Sequence, residues 1–179
     1  MEGTDVRAPI DRLVSEVMAA ARRNDRGMLA ALRAGLSEGT RHRAWPILAS
    51  YCDLRHSEDL AIWGLVGAGC ATLAPDGLAR AGVGNIGATM RRLEAGGGHP
   101  DEKTLESFDG RFRRLLVCQE VTDLCDHLIP VLRAAKAKGV PIDFRKLYED
   151  LRDWTASDVR LSWAAAYWGV PAGSEGTSA

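Results

Sequence analysis

Gly82-Val83-Gly84-Asn85-Ile86-Gly87 spells G-x-G-x-x-G, the glycine pattern that cradles a dinucleotide pyrophosphate. Its reading decides between an α/β fold and an all-helical one. A dinucleotide fingerprint needs a buried strand before the glycines, a helix after them and an acidic residue about 20 positions on, at the end of another strand. Upstream lies Ala74-Pro75-Asp76-Gly77-Leu78-Ala79-Arg80, which is a turn, and downstream a helix runs into Gly96-Gly97-Gly98-His99-Pro100. The strand and the distal acid are both missing. We therefore expect Gly82 and Gly84 to shape a loop, and Gly87 to let a helix pack closely on a neighbour. Arg80, Arg91 and Arg92 flank the stretch, and small residues beside cations let a phosphate backbone come close. A polymer remains a possible ligand.

Outward from this point the apolar residues recur at helical spacing, and no alternating strand pattern occurs. Ile10, Leu13, Val14, Val17 and Met18 make one face, and Met28, Leu29, Leu32 and Leu36 another, with Asn24 and Asp25 placed to cap the second helix. Pro46 suits the first turn of a third helix expected to run through Leu54. A fourth, opened by Ser57 or Glu58 and covering Leu60 to Ala74, is apolar nearly all round and should lie in the middle. The fifth starts near Asn85. Four more are expected over 101–118, 121–138, 143–154 and 157–168, with Pro130 kinking the 121–138 helix because it lacks a donor in mid-helix. The fold class is all-α: about nine helices in two small helical-bundle lobes sharing a core. The boundaries fall at 1–96 for an N-terminal helical lobe and 97–170 for a C-terminal four-helix lobe. A tail over 171–179, rich in Gly, Ser and Thr, is expected to be disordered.

Composition narrows the function. The 179 residues are 46% hydrophobic and 26% charged, which fits an ordinary globular chain and not a disordered or membrane one. Glu2, Asp5, Asp11 and Glu16 interrupt the N-terminal stretch, so no secretory signal is read there and a cytoplasmic protein is expected. Cys52, Cys70, Cys118 and Cys125 form no C-x-x-C pair and sit in apolar patterns as small hydrophobes. His42, His56, His99 and His127 offer no i,i+4 pair and no H-E-x-x-H, so no metal site is expected. With no G-x-S-x-G elbow and carboxylate pairs that have cations beside them, no catalytic residues are assigned and no cofactor is implied. The formal net charge is −1, so any nucleic-acid contact must come from a local basic patch.

Several segments, taken in order, point further. Leu29-Ala30-Ala31-Leu32-Arg33 is followed by Gly84-Asn85-Ile86-Gly87-Ala88-Thr89-Met90-Arg91-Arg92-Leu93 and by Arg111-Phe112-Arg113-Arg114-Leu115-Leu116. Then come Val140-Pro141-Ile142-Asp143-Phe144 through Leu147 and Asp150-Leu151 to Trp154, and Val159-Arg160-Leu161-Ser162-Trp163-Ala164 with Tyr167. This order resembles the CasB family, the small subunit of the type I-E CRISPR surveillance complex Cascade. The resemblance implies an all-helical, non-enzymatic protein present as a pair of copies in a crRNA-guided antiviral complex. Its implied partners are the large subunit, the backbone subunit, a second copy of itself and unwound target DNA, especially the displaced single strand of the R-loop. Two positions depart from the family pattern: Ala34 stands where a second arginine follows in L-R-R, and Ile129-Pro130 where a basic pair often occurs. A helical DNA-binding regulator, with a helix-turn-helix within 101–138, is the alternative.

Such a subunit needs cations that neighbouring acids do not neutralise. On the 101–118 helix, Leu105, Phe108, Phe112, Leu115 and Leu116 form the buried stripe. Lys103, Arg111 and Arg114 fall on one flank with no acid among them. Arg113 follows Asp109 at the i,i+4 spacing of an ion pair on the other. Lys103, Arg111 and Arg114 are thus the leading nucleic-acid candidates, joined by Arg80, Arg91, Arg92, Arg33 and, through the resemblance, Arg160. Arg33 is also placed to cover the core with its long side chain. Arg145 with Glu149 and Lys146 with Asp150 are spaced as structural pairs.

Overall fold

The computed structural model describes residues 8–96 and 102–169, with the side chains of residues 9–96 and 108–169. The expected lobe boundary after residue 96, the tail from Pro171 and the side chain of Lys103 lie outside these. Among the described residues there are nine α-helices: α1 Ala8–Arg22, α2 Arg26–Arg33, α3 Trp45–Leu48, α4 Ser57–Leu73, α5 Ile86–Ala95, α6 Glu102–Val117, α7 Val121–Lys138, α8 Phe144–Arg152 and α9 Ser157–Trp168. No strand occurs among them; one isolated parallel bridge joins Ala79 to Ile142. The fold is all-α, as the periodicity predicts.

Local chemistry sets most of the boundaries. Asp25 accepts the N–H of Met28 at 3.1 Å and starts α2, directly after Asn24 turns the chain at φ 55°. Asp143 starts α8 by accepting the N–H groups of Arg145 and Lys146, each at 3.1 Å. Pro130 lies inside α7, which is helical on both sides of it. The third helix differs from expectation, stopping at Leu48 and not at Leu54. Beyond Leu48 the N–H groups of Ser50 and Tyr51 bond to the carbonyls of Ile47 and Leu48, three positions back, in tight four-residue turns. These swing Tyr51 onto Trp63, 5.4 Å between ring centroids, while the Tyr51 hydroxyl donates to Glu16 at 2.6 Å. Tertiary contacts with α4 and α1 outweigh the local helical preference.

Ten of the 17 residues of α4 are buried, because α1, α2, α7 and α8 all pack on it. One hydrophobic cluster runs from Ile10 on α1 to Tyr167 on α9, so the two halves of the chain share a core. At the far side α9 packs on α5, and Trp163 lies against Trp154 with ring centroids 5.0 Å apart. The Trp163 Nε1 donates to the buried Asp150 carboxylate at 2.7 Å, and Lys146 Nζ donates to the other oxygen at 2.7 Å. The C-terminal end of α6 is fastened by the Cys118 carbonyl, which accepts from both Trp154 Nε1 and Arg160 Nη2 at 2.9 Å.

The glycine stretch does what the helical reading requires. Gly82 and Gly84 take φ of 75° and 92°, the left-handed region that glycine enters without steric cost. The Gly82 N–H donates to Asp143 at 2.6 Å. Asn85 caps α5 through Ala88 N–H at 3.2 Å and donates to Ser162 on α9 at 3.0 Å. A Cβ on Gly87 would stand 2.0 Å from the Trp163 carbonyl oxygen. The three glycines thus form a loop and a helix crossing.

Candidate nucleic-acid interface

The amphipathic pattern of α6 buries Phe112 and Leu115 and turns its arginines outward on two flanks. On one flank Arg113 donates from Nε to Asp109 at 2.6 Å and lies 5.0 Å from the Trp168 ring centroid. Trp168 Nε1 donates to the other Asp109 oxygen at 2.8 Å. The Arg113 hydrogen bond holds the Asp109 carboxyl below its usual range. Arg113 is therefore engaged with its own surface. On the other flank Arg111 and Arg114 are exposed and have no ion pair among the described residues.

These two guanidiniums rim a groove of about 280 Å³ between α5, α6 and α7. Its buried lining is apolar, built from Met90, Leu93, Leu115 and Val131, and the exposed His127 and Pro130 of α7 also line it. Arg111 lies 5.8 Å from the Phe108 ring centroid. Lys138 lies 4.8 Å from the same ring and donates to the Leu93 carbonyl at 3.0 Å. Cations over an apolar cleft make an arrangement suited to a polyanion with hydrophobic substituents.

The other candidates are distributed around the molecule. Arg33 donates to the Ala71 carbonyl at 3.0 Å, tying α2 to α4. Arg91 donates to the Gly169 carbonyl at 2.7 Å, tying α5 to the end of α9. Arg160 donates to Cys118 and covers the Trp154 ring at 4.8 Å. Each guanidinium has five donors, so all three keep capacity for a phosphate alongside a structural bond. Arg80 and Arg92 are exposed without an acid partner among the described residues. Among the described side chains, Arg111 and Arg114 are the sequence candidates that share the groove. Lys146 bonds Asp150 as its spacing indicates, and Arg145 reaches Asp11 on α1. Sequence reasoning passed over Arg133, exposed on α7 and without an acid partner among the described residues. No acid stands three or four positions from it, so the same screen would have found it.

Burial pushes the Cys70 and Cys125 thiols up to about 12, so neither is a thiolate at neutral pH. Among the described residues no three His, Cys, Asp or Glu side chains converge as metal ligands. No helix of those residues is long and apolar enough to cross a membrane.

A family model described as CRISPR-associated protein Cse2 matches residues 28–168. No curated protein and no solved structure matches the chain. The family match takes in most of α2 and every later helix through α9, including the groove between α5, α6 and α7, and it agrees with the helical architecture. The chain belongs to the CRISPR-associated Cse2 family, the CasB small subunits of the type I-E Cascade complex.

Proposed function

We propose that this chain is a non-catalytic, cytoplasmic subunit of a crRNA-guided DNA-surveillance complex. In it the chain steadies unwound target DNA, particularly the displaced strand of the R-loop, without reading sequence. The large subunit, the backbone subunit and a second copy of the chain are its neighbours there. The observation that carries the reading is the contrast within α6. Arg113 is held by Asp109, while Arg111 and Arg114 stand exposed over a groove, free to meet phosphates. Lys103, Arg92 and Arg80 are further candidate phosphate contacts, and Arg33, Arg91 and Arg160 add contacts beside their structural bonds.

A chain of net charge −1 lacks the overall field for tight binding alone, so the isolated protein binds single-stranded DNA feebly and assembly supplies the affinity. The test replaces Lys103, Arg111 and Arg114 by Ala in the reconstituted complex, with Arg113→Ala as the control. The triple change lowers target binding similarly for every sequence, because phosphates carry no base information. It also flattens the log-log salt dependence by about 0.7 for each single-strand phosphate that is no longer neutralised. Unchanged target capture when the subunit is omitted, or an unaltered salt slope, refutes the reading.

A further inference from the structure

The groove behind Arg111 and Arg114 is larger and more apolar than phosphate contacts require. Its volume, about 280 Å³, falls just below the roughly 300 to 1,000 Å³ of pockets that hold drug-sized molecules. It therefore suits one flat heterocycle. The buried lining residues Met90, Leu93 and Leu115 carry no hydrogen-bonding side-chain group that would choose among bases, and the polar lining residues Arg111, Arg114 and His127 are all exposed, where a phosphate attached to that heterocycle would lie. Arg111 already rests beside the Phe108 ring, and a guanidinium plane stacks as readily on a base.

We propose that this groove receives a single unstacked base of the DNA strand whose phosphates Arg111 and Arg114 hold. The inference rests on the phosphate reading above and adds a base to it. A base inside a duplex is paired and stacked and cannot enter, so the groove discriminates single strand from duplex by shape, with no sequence preference.

Ala134 also lines the groove and is half-buried, so Ala134→Trp fills the cleft while leaving both arginines in place. The assembled complex is titrated with targets whose displaced or guide-paired strand carries abasic sites at successive positions. With the native subunit, an abasic site at one recurring position weakens binding by about fivefold to a hundredfold, the range set by removing one base stack. Ala134→Trp lowers binding of the intact strand to the abasic level, leaves abasic binding unchanged and does not alter the salt slope. Arg111→Ala with Arg114→Ala changes the salt slope on both strands. If Ala134→Trp fails to fold by circular dichroism, 2-aminopurine at that position in the native complex decides, its emission shielded from acrylamide only there. No abasic effect at any position, no shielding, or equal weakening of intact and abasic strands by Ala134→Trp overturns base insertion. A normal salt response in that event leaves the phosphate reading standing.

Discussion

Replacing Gly87 by Ala tests the helical reading of the glycine stretch at its tightest point. The new methyl carbon would lie 2.0 Å from the Trp163 carbonyl oxygen, 2.8 Å from its carbonyl carbon and 3.0 Å from its Cα. A close carbon–oxygen contact is about 3.3 Å, so α5 and α9 must separate by more than 1 Å, roughly the difference between these two distances. The obstacle is backbone, which cannot rotate aside as a side chain can. Separation loosens the packing of Ile86 and Met90, both 1% exposed, and strains the Asn85 bond to Ser162. Overpacking of this kind costs about 1–3 kcal/mol, and the rigid partner places this case near 3. The better helix propensity of Ala returns at most about 1 kcal/mol, leaving a net loss near 2. For a chain of this size that lowers Tm by about 4–8 °C. Gly110→Ala on α6 is the opposing control: nothing lies within 4 Å of its Cβ position, so propensity alone acts and Tm rises by about 2–4 °C. Thermal melts followed by circular dichroism at 222 nm measure both. A Gly87→Ala protein as stable as the parent would mean that the α5–α9 crossing is not as close as described.

Asp150→Ala removes the acceptor of the buried Trp163 Nε1 and destabilises by about 1–3 kcal/mol in urea titrations, whereas Asp150→Asn keeps an acceptor oxygen and loses less; equal losses would deny the bond. Because Arg113 depresses the Asp109 carboxyl, the stability that this pairing contributes is present above the unfolded value near pH 3.9 and disappears as pH falls through the lower folded value. The Trp168 fluorescence, isolated by comparison with Trp168→Phe, follows that titration, and a transition above pH 5 would contradict it. Native protein at pH 7.5 reacts slowly with a disulfide reagent at Cys70 and Cys125, and all four thiols react at once in guanidinium; rapid native labelling of either would deny their burial. Neither NAD nor ATP raises Tm, since a ligand that binds only the native state must do so, and a saturable shift with either would revive the nucleotide fingerprint.

The helices were legible because apolar periodicity is local, and so were the cap at Asp25 and the helix starts near Asn85 and Asp143. The position of α4 followed from its apolar circumference. The end of α3 was not legible, since Tyr51 leaves the helix for Trp63 and Glu16, residues brought near only by the fold. Charge pairing on α6 could be read from spacing, whereas the bond from Arg145 to Asp11 on α1 spans 134 positions. The carbonyl partners of Arg33, Arg91 and Arg160, 38 to 78 positions distant, were hidden for another reason. A screen for neighbouring acids does not see backbone oxygens. The groove itself needs three helices at once, and no single stretch encodes it.

The packing of α1 and α4 against α8 also governs what happens while the chain is being made. Asp11 waits for Arg145, and the face of α4 that receives α7 and α8 stays bare until both have emerged. At about 5–20 residues per second the ribosome needs roughly 7–27 s to cover those 134 positions. In the later part of that interval, once α4 has been made, its faces toward α1 and α2 can be covered but the face that receives α7 and α8 stays exposed, which makes the nascent chain a client for chaperones. Slowing synthesis after α4 therefore lengthens the exposure and lowers soluble yield, while the same pause placed after α8 leaves the yield intact.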